Sequence, residues 1–167
     1  EAYRVIHITG TNGKGSTARY TSALLQATDL SVGTYTSPNI ETVNERLSWA
    51  GQPISNDDFG RLMALMAGVE PLLSRRPSRF ELLTAAAFAW FAELGVDVAV
   101  VEVGLLGRYD ATNVVTGDVA VVTNIGKDHT SGEEGWEAQV ASEKAGIIKP
   151  TSHAILGSPM GELEPIF

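Results

Sequence analysis

Short apolar runs alternate with longer amphipathic stretches along the chain, and clusters of glycine, proline or small polar residues separate them. Residues 5–9 predict a buried strand and residues 17–27 a helix that ends near Asp29. Residues 31–36 predict a second strand. Residues 47–49 and Ile54, around Ala50-Gly51-Gln52-Pro53, read as a short hairpin. Ser55 followed by Asn56-Asp57-Asp58 is a helix start, a hydroxyl cap with acids in the first turn, and that helix is expected to run to about Leu73. Residues 80–94 predict a strong helix closed by Gly95. Residues 96–103 are near-continuously apolar with Glu102 at the end, the pattern of a parallel strand buried on both faces. Residues 118–124 repeat that pattern, 136–147 read as a helix stopped by Pro150, and 153–156 as a last short strand. Strands alternating with helices predict an α/β fold: a mostly parallel sheet with helices on both faces.

In such sheets ligands gather beyond the carboxyl ends of the strands. The first turn there is Gly10-Thr11-Asn12-Gly13-Lys14-Gly15-Ser16. Strand, glycine-rich turn, lysine, hydroxyl and helix form the layout of a phosphate-binding loop. Glycines let the backbone approach an anion closely. The helix N-terminus adds about half a positive charge, and Lys14 adds a full one. Ser16 or Thr17 can offer a hydroxyl to Mg²⁺. The common pattern has its hydroxyl directly after the lysine; here Gly15 intervenes, and Ile8 stands where the first glycine belongs. A turn that binds nothing needs one or two glycines, not a lysine set between two of them.

Polar groups also follow the next strands: Thr36-Ser37-Pro38-Asn39, then Glu102 with residues 104–113, then Asn124 to Thr130 including His129. These turns are expected to open on one edge of the sheet. A carboxylate on the strand beside a phosphate loop suits Mg²⁺ or its water shell. As residues alone, Ser37 and His129 are ordinary loop residues, and His7 and His153 lie inside strand runs and read as structural. Lys144 beside Glu143 reads as a solvated helix lysine, residues 110–113 as a turn cluster and Arg79-Phe80-Glu81 as a helix start.

Composition narrows the function classes. The chain has 167 residues, 44% hydrophobic and 19% charged, which suits one globular domain with its own core. No apolar run approaches the ~20 residues of a membrane span, and no secretory signal is evident, so a cytoplasmic setting is expected. A net charge of -8 argues against a general nucleic-acid binder. The absence of cysteine excludes disulfides, thiolate metal sites and thiol nucleophiles.

Together these segments resemble the folylpolyglutamate synthase/dihydrofolate synthase family, a branch of the Mur ligase superfamily. The matching stretches are GTNGKGST (10–17), YTSPN (35–39), NERL (44–47), FELLTAAAF (80–88), EVGLLGRYDATN (102–113), TNIGKDHT (123–130) and SEKAGIIKP (142–150). The resemblance implies a P-loop-type central domain over residues 1–167. It also implies an ATP-dependent ligase that activates a pteroate or folate carboxylate as an acyl phosphate and joins it to L-glutamate. Dihydropteroate or a reduced folate, L-glutamate, ATP and two Mg²⁺ ions are the implied small molecules; no nucleic acid or membrane is implied.

By the same resemblance Gly10, Thr11, Asn12, Gly13, Lys14, Gly15 and Ser16 would hold the triphosphate. Ser37, Glu102 and His129 match magnesium ligands, and Lys144 matches a lysine carbamylated on its ε-amine that holds the second metal. Lys14, His129 and Lys144 are the candidate catalytic set. Arg79, Phe80, Glu81, Tyr109, Asp110 and Ala111 match the pterin and benzoate contacts. Some positions depart: Leu106 stands for a glycine, Tyr109 for a leucine, Asn39 for a histidine and Lys127 for an apolar residue. Leu106 is expected to reshape the pterin loop rather than the nucleotide site.

Members of the family are much longer, so a C-terminal amino-acid-binding domain is expected beyond these residues, an incomplete sheet is expected to favour self-association, and residues 1–167 alone are expected to ligate nothing. The alternatives are a small P-loop kinase or NTPase complete at this length, and a nucleotide-binding module without catalysis.

Overall fold

The computed structural model describes residues 2–127, 130–157 and 159–167. Seven strands form one sheet. In chain order they are β1 (Arg4–Thr9), β2 (Val32–Tyr35), β3 (Leu47–Trp49), β4 (Gln52–Pro53), β5 (Val98–Glu102), β6 (Val119–Val122) and β7 (His153–Leu156). Across the sheet the order is β4-β3-β2-β5-β1-β6-β7. The pairs β2–β5, β5–β1, β1–β6 and β6–β7 are parallel, and the β2–β3–β4 edge is antiparallel. The helices are α1 (Lys14–Gln26), α2 (Asn56–Val69), α3 (Arg79–Leu94) and α4 (Trp136–Ala145).

Strand alternation sorts the core into two layers. Val5, Tyr35, Ala99 and Val101 point to the face covered by α2 and α3. Ile8, Val32, Val98 and Val100 point to the other face, where Ala18 and Leu25 of α1 pack. A smaller cluster joins Ala120 and Val103 to Ile147, just past α4. Helices therefore cover both faces of a mostly parallel sheet, as the apolar pattern predicts. Val98–Glu102 is buried along its whole length, which explains its continuous hydrophobicity. β7 is the outer strand, and His153, Ala154 and Ile155 are exposed on it. Among the described residues no helix is long and apolar enough to cross a membrane.

Element ends follow local chemistry. Ser55 caps α2 by accepting from the Asp58 amide, and Ser78 and Glu81 form a capping box on α3. Gly95 closes α3 in the left-handed conformation. Three boundaries differ from expectation. α1 begins at Lys14 because Gly13, at φ 79°, can act as its cap. α2 stops at Val69 because Pro71 has no amide hydrogen to continue the helix; a 3₁₀ turn follows over Glu70–Leu72. α4 stops at Ala145, with Gly146 as its cap.

Candidate functional site

The turns after β1, β2, β5 and β6 meet at the carboxyl rim of the sheet. The first is locked to the last. Thr11 donates its amide to the Asn124 carbonyl (3.1 Å), and Asn12 donates its amide to Asn124 Oδ1 (3.0 Å). Thr123 Oγ1 donates to the Asn12 carbonyl (2.7 Å), and the Gly126 amide donates to Thr11 Oγ1 (3.0 Å). Gly10 sits at φ 144°, and a Cβ there would lie 1.8 Å from Thr123 Oγ1. Only glycine fits this approach.

Lys14 opens α1, and its ammonium turns back to donate to the Gly10 carbonyl (2.9 Å) and the Thr11 carbonyl (3.4 Å). The first helical bond runs from Thr17 to Gly13 (2.8 Å). The amides of Lys14, Gly15 and Ser16 precede it, so they belong to the helix end that attracts anions. Gly15 faces Glu102: a Cβ on Gly15 would lie 3.4 Å from Oε2.

Glu102 ends β5 and is only 3% exposed. Its Oε2 accepts the Ser37 amide (2.9 Å), which joins the turn after β2 to the same point. Burial pushes its carboxyl above the usual range, against the opposing pull of the Ser37 amide, Lys14 and Arg19. A buried carboxylate under this strain is relieved by a cation. Among the described residues no group of three or more acidic or histidine side chains forms a metal cage. Mg²⁺ does not require one: it commonly takes one or two carboxylates and completes its shell with phosphate oxygens and water. Glu102 and the adjoining Ser37 fit that habit. His129 lies outside the described residues.

Lys144 corrects an expectation. It is fully buried rather than a solvated helix lysine. The reason is packing at the end of α4. Arg108 donates its amide to the Glu143 carbonyl (2.8 Å), and its guanidinium reaches the Ser142 carbonyl (3.0 Å). Gly107 lies so close that a Cβ would meet the Glu143 carbonyl oxygen at 2.8 Å. The loop after β5 thus seals this turn of α4.

Two cavities flank Phe80. One, of about 320 Å³, is lined by Phe80, Leu105, Leu106, Tyr109, Asp110 and Ala111 among others. The second, of about 410 Å³, runs from Ser37 and Pro38 past Arg46 to Phe80, Gly104 and Asp110. Phe80 stacks on Tyr35 with ring centroids 6.0 Å apart, and Gly104 leaves room for its ring tip. Glu81 lines the first cavity, but its carboxylate is paired with Arg75 and holds the Ser78 amide, and it is pulled down to about 2. Tyr109 is 87% exposed. Arg79 is exposed and lines neither cavity, so the geometry separates it from Phe80 and Asp110.

The sequence reading missed a set of side chains behind this pocket. His7 of β1 is fully buried, and its Nε2 lies 2.9 Å from Thr112 Oγ1. Thr112 donates both its hydroxyl (2.5 Å) and its amide (2.9 Å) to Asp110 Oδ1, while the Leu105 amide donates to Oδ2 (2.8 Å). Thr9, at the end of the same strand, donates its hydroxyl to the Leu106 carbonyl. Leu106 itself stands at φ 54°, a left-handed conformation that favours glycine. A histidine at an inward strand position was the available signal, but only the fold shows what it faces.

Comparison with known proteins adds to this geometry. A profile described as the Mur ligase middle domain matches residues 8–157. The chain belongs to the Mur ligase middle-domain family. Within that family, this Mur ligase domain is 44% identical over 151 residues to the dihydrofolate synthase/folylpolyglutamate synthase of Bacillus subtilis, covering 87% of the chain and 35% of that protein. A crystal structure of a bifunctional folylpolyglutamate synthase/dihydrofolate synthase with Mn, AMPPNP and L-glutamate bound superposes with a TM-score of 0.88 at 34% identity, over 96% of this chain and 39% of that one. An Escherichia coli relative, solved in complex with DHPP and ADP, gives 0.87 at 37% identity, over 96% and 38%. The chain spans little more than a third of the length of the relatives it matches.

Proposed function

We propose that this Mur ligase domain binds Mg·ATP and a pteroate or folate acceptor for the ATP-dependent addition of L-glutamate. One observation carries the reading. The cavity that begins at Ser37, hydrogen-bonded to Glu102 beside the phosphate loop, ends at Phe80 and Asp110. An acceptor in it reaches from an aromatic, carboxylate-bearing pocket to the place where a γ-phosphate would sit.

The chain's groups then divide the work. The amides of residues 13–16 and the Lys14 ammonium hold the triphosphate. Ser37, Glu102 and His129 would hold Mg²⁺, which supplies charge neutralisation as the γ-phosphoryl group moves. The acceptor carboxylate oxygen attacks the γ-phosphorus, ADP leaves, and an acyl phosphate results. The amine of L-glutamate attacks the acyl carbon, phosphate leaves, the amine gives up a proton, and an amide remains. Such chemistry asks for positioning and charge stabilisation more than for a protein nucleophile. Phe80 supplies an aromatic wall for the pterin and benzoate. Asp110 can accept one further N–H, because about four lone-pair positions exist on a carboxylate and three are occupied.

The relative that carries Mn, AMPPNP and L-glutamate, and the one that carries DHPP and ADP, support the same assignment of ligands. We place the L-glutamate pocket outside residues 1–167, two metal ions at the rim and the protein in the cytoplasm. Lys144, which the family resemblance matches to a carbamylated lysine, is proposed to be carbamylated: it is buried at the end of α4, and a carbamate there would offer the second cation negative charge. Phosphate release by the full-length protein is expected only when a pteroate acceptor and L-glutamate are both present. ATP hydrolysis or phosphoryl transfer independent of glutamate would instead support a small P-loop kinase or NTPase.

A further inference from the structure

We propose that His7 is a positioning residue for the acceptor: through Thr112 it fixes the Asp110 carboxylate at the junction of the two cavities beside Phe80. The inference rests on the ligase reading above. His7 belongs to β1, an inner strand of the sheet, and is fully buried with Thr112.

The direction of the hydrogen bonds follows from counting protons. A threonine hydroxyl has one hydrogen to give. Asp110 Oδ1 is an obligate acceptor when ionised, and Thr112 Oγ1 lies 2.5 Å from it, so the hydroxyl proton goes there. Thr112 Oγ1 must then accept from His7 Nε2, which lies 2.9 Å away. His7 is therefore the neutral tautomer with its proton on Nε2, and Nδ1 carries a bare lone pair. The surroundings agree: among the described residues, His7 Nδ1 is the one buried side-chain polar atom with no hydrogen-bond partner. Burial, with the Lys149 charge nearby, holds the ring far below its ordinary range, at about 3, so it stays neutral. Lys149 is itself occupied by Asn113 Oδ1 (2.9 Å) and the Gly146 carbonyl (3.2 Å).

The relay has a use for the pocket. Asp110 Oδ1 takes two donors from Thr112, and Oδ2 takes one from Leu105. One lone pair stays open on a carboxylate whose two oxygens are both anchored. A substrate N–H would therefore meet an oriented acceptor. Without His7, the Thr112 hydroxyl loses the donor that sets its rotamer, and Asp110 loses part of its anchoring while the phosphate loop keeps all of its own ties.

The test uses the full-length protein. For His7→Leu the acceptor KM is expected to rise about tenfold, the loss of roughly one buried hydrogen bond, with KM for Mg·ATP unchanged. His7→Gln, which keeps a donor near the Nε2 position, is expected to recover the wild-type acceptor KM. Thr112→Val is expected to copy His7→Leu, and the double variant to be no worse than either single one. If His7→Leu fails to fold, Thr112→Val and the ring itself still decide. Nitrogen-15 NMR of His7 is expected to show a neutral ring with the proton on Nε2 in mildly acidic solution. A proton on Nδ1, a charged ring, or an acceptor KM unchanged in Thr112→Val or His7→Leu would overturn the relay. A wild-type protein that uses no pteroate acceptor would overturn the ligase reading instead, and the NMR result would stand apart from it.

Discussion

Two halves of one rim offer a ligand different kinds of group. Around residues 10–16 the loop is tied by main chain and side chains alike, the Thr11 amide to the Asn124 carbonyl, the Asn12 amide to Asn124 Oδ1 and the Lys14 ammonium to the Gly10 carbonyl, and what it offers a ligand is the main-chain amides of residues 14–16. Around residues 104–112 the backbone hangs on side chains: Thr9 holds Leu106, Asp110 holds Leu105, and His7 and Thr112 hold Asp110. A main-chain cradle offers the same amides whatever occupies the neighbouring positions, which suits a ligand as constant as a triphosphate. A side-chain scaffold can be retuned one residue at a time, which suits an acceptor that differs between relatives.

The sharpest way to break the contrast is Gly10→Ala. The added carbon would collide with Thr123 and force an unfavourable φ. Mg·ATP binding is expected to weaken by on the order of 100-fold, with acceptor binding intact, as read by calorimetry. Equal loss of both ligands would show that the halves are one unit.

The second test is pH. The ring of His7 is held at about 3 in the folded chain against an ordinary 6.5. The unfolded chain takes up a proton as pH falls below its ordinary value, and the folded chain does not. Stability is therefore complete above that value and falls with acid, by up to about 1.4 kcal/mol per pH unit for one proton. Denaturant titrations above the carboxylate range are expected to show this slope in the wild type and its absence in His7→Gln. A flat wild-type profile would mean that the ring is not held neutral.

Third, Asp110→Asn removes a charge from the acceptor half alone. About a tenfold loss of acceptor affinity is expected, and Mg·ATP affinity is expected to hold. The smallest effect belongs to Leu106→Asn. Asparagine tolerates the left-handed conformation that Leu106 adopts at φ 54°. Thermal unfolding is expected to show a gain of up to about 1 kcal/mol, and a loss would mean that the leucine side chain contributes more by packing than its backbone costs.

The same contrast explains what the sequence revealed. Strand positions were legible because buried parallel strands are apolar throughout, as at Val98–Glu102. The phosphate loop was legible because close main-chain approach demands glycine, and Gly10 and Gly13 advertise it. The meeting of Ser37 with Glu102 followed from reading each strand's carboxyl end. Three things escaped the reading, the first of them legible. Pro71 ended α2 early, although proline in a helical pattern was visible. Lys144 carries no sign in its own turn that residues 107–108 will cover it. His7 looked structural because its partner, Thr112, lies 105 residues away in sequence, and no periodicity reports a contact of that range. Arg79, matched by the resemblance together with Phe80, lines neither cavity, because a neighbour in sequence on a helix points elsewhere.

The central claim is that the turns after β1, β2, β5 and β6 jointly hold a cation-bound triphosphate. A crystal structure of the protein with Mg²⁺ and a non-hydrolysable ATP analogue tests it most directly. The phosphates are expected on the amides of residues 13–16 with Lys14 beside them, and a magnesium ion in contact with the Glu102 carboxylate next to Ser37. Nucleotide bound away from that loop, or a magnesium ion that leaves Glu102 untouched, would contradict the claim.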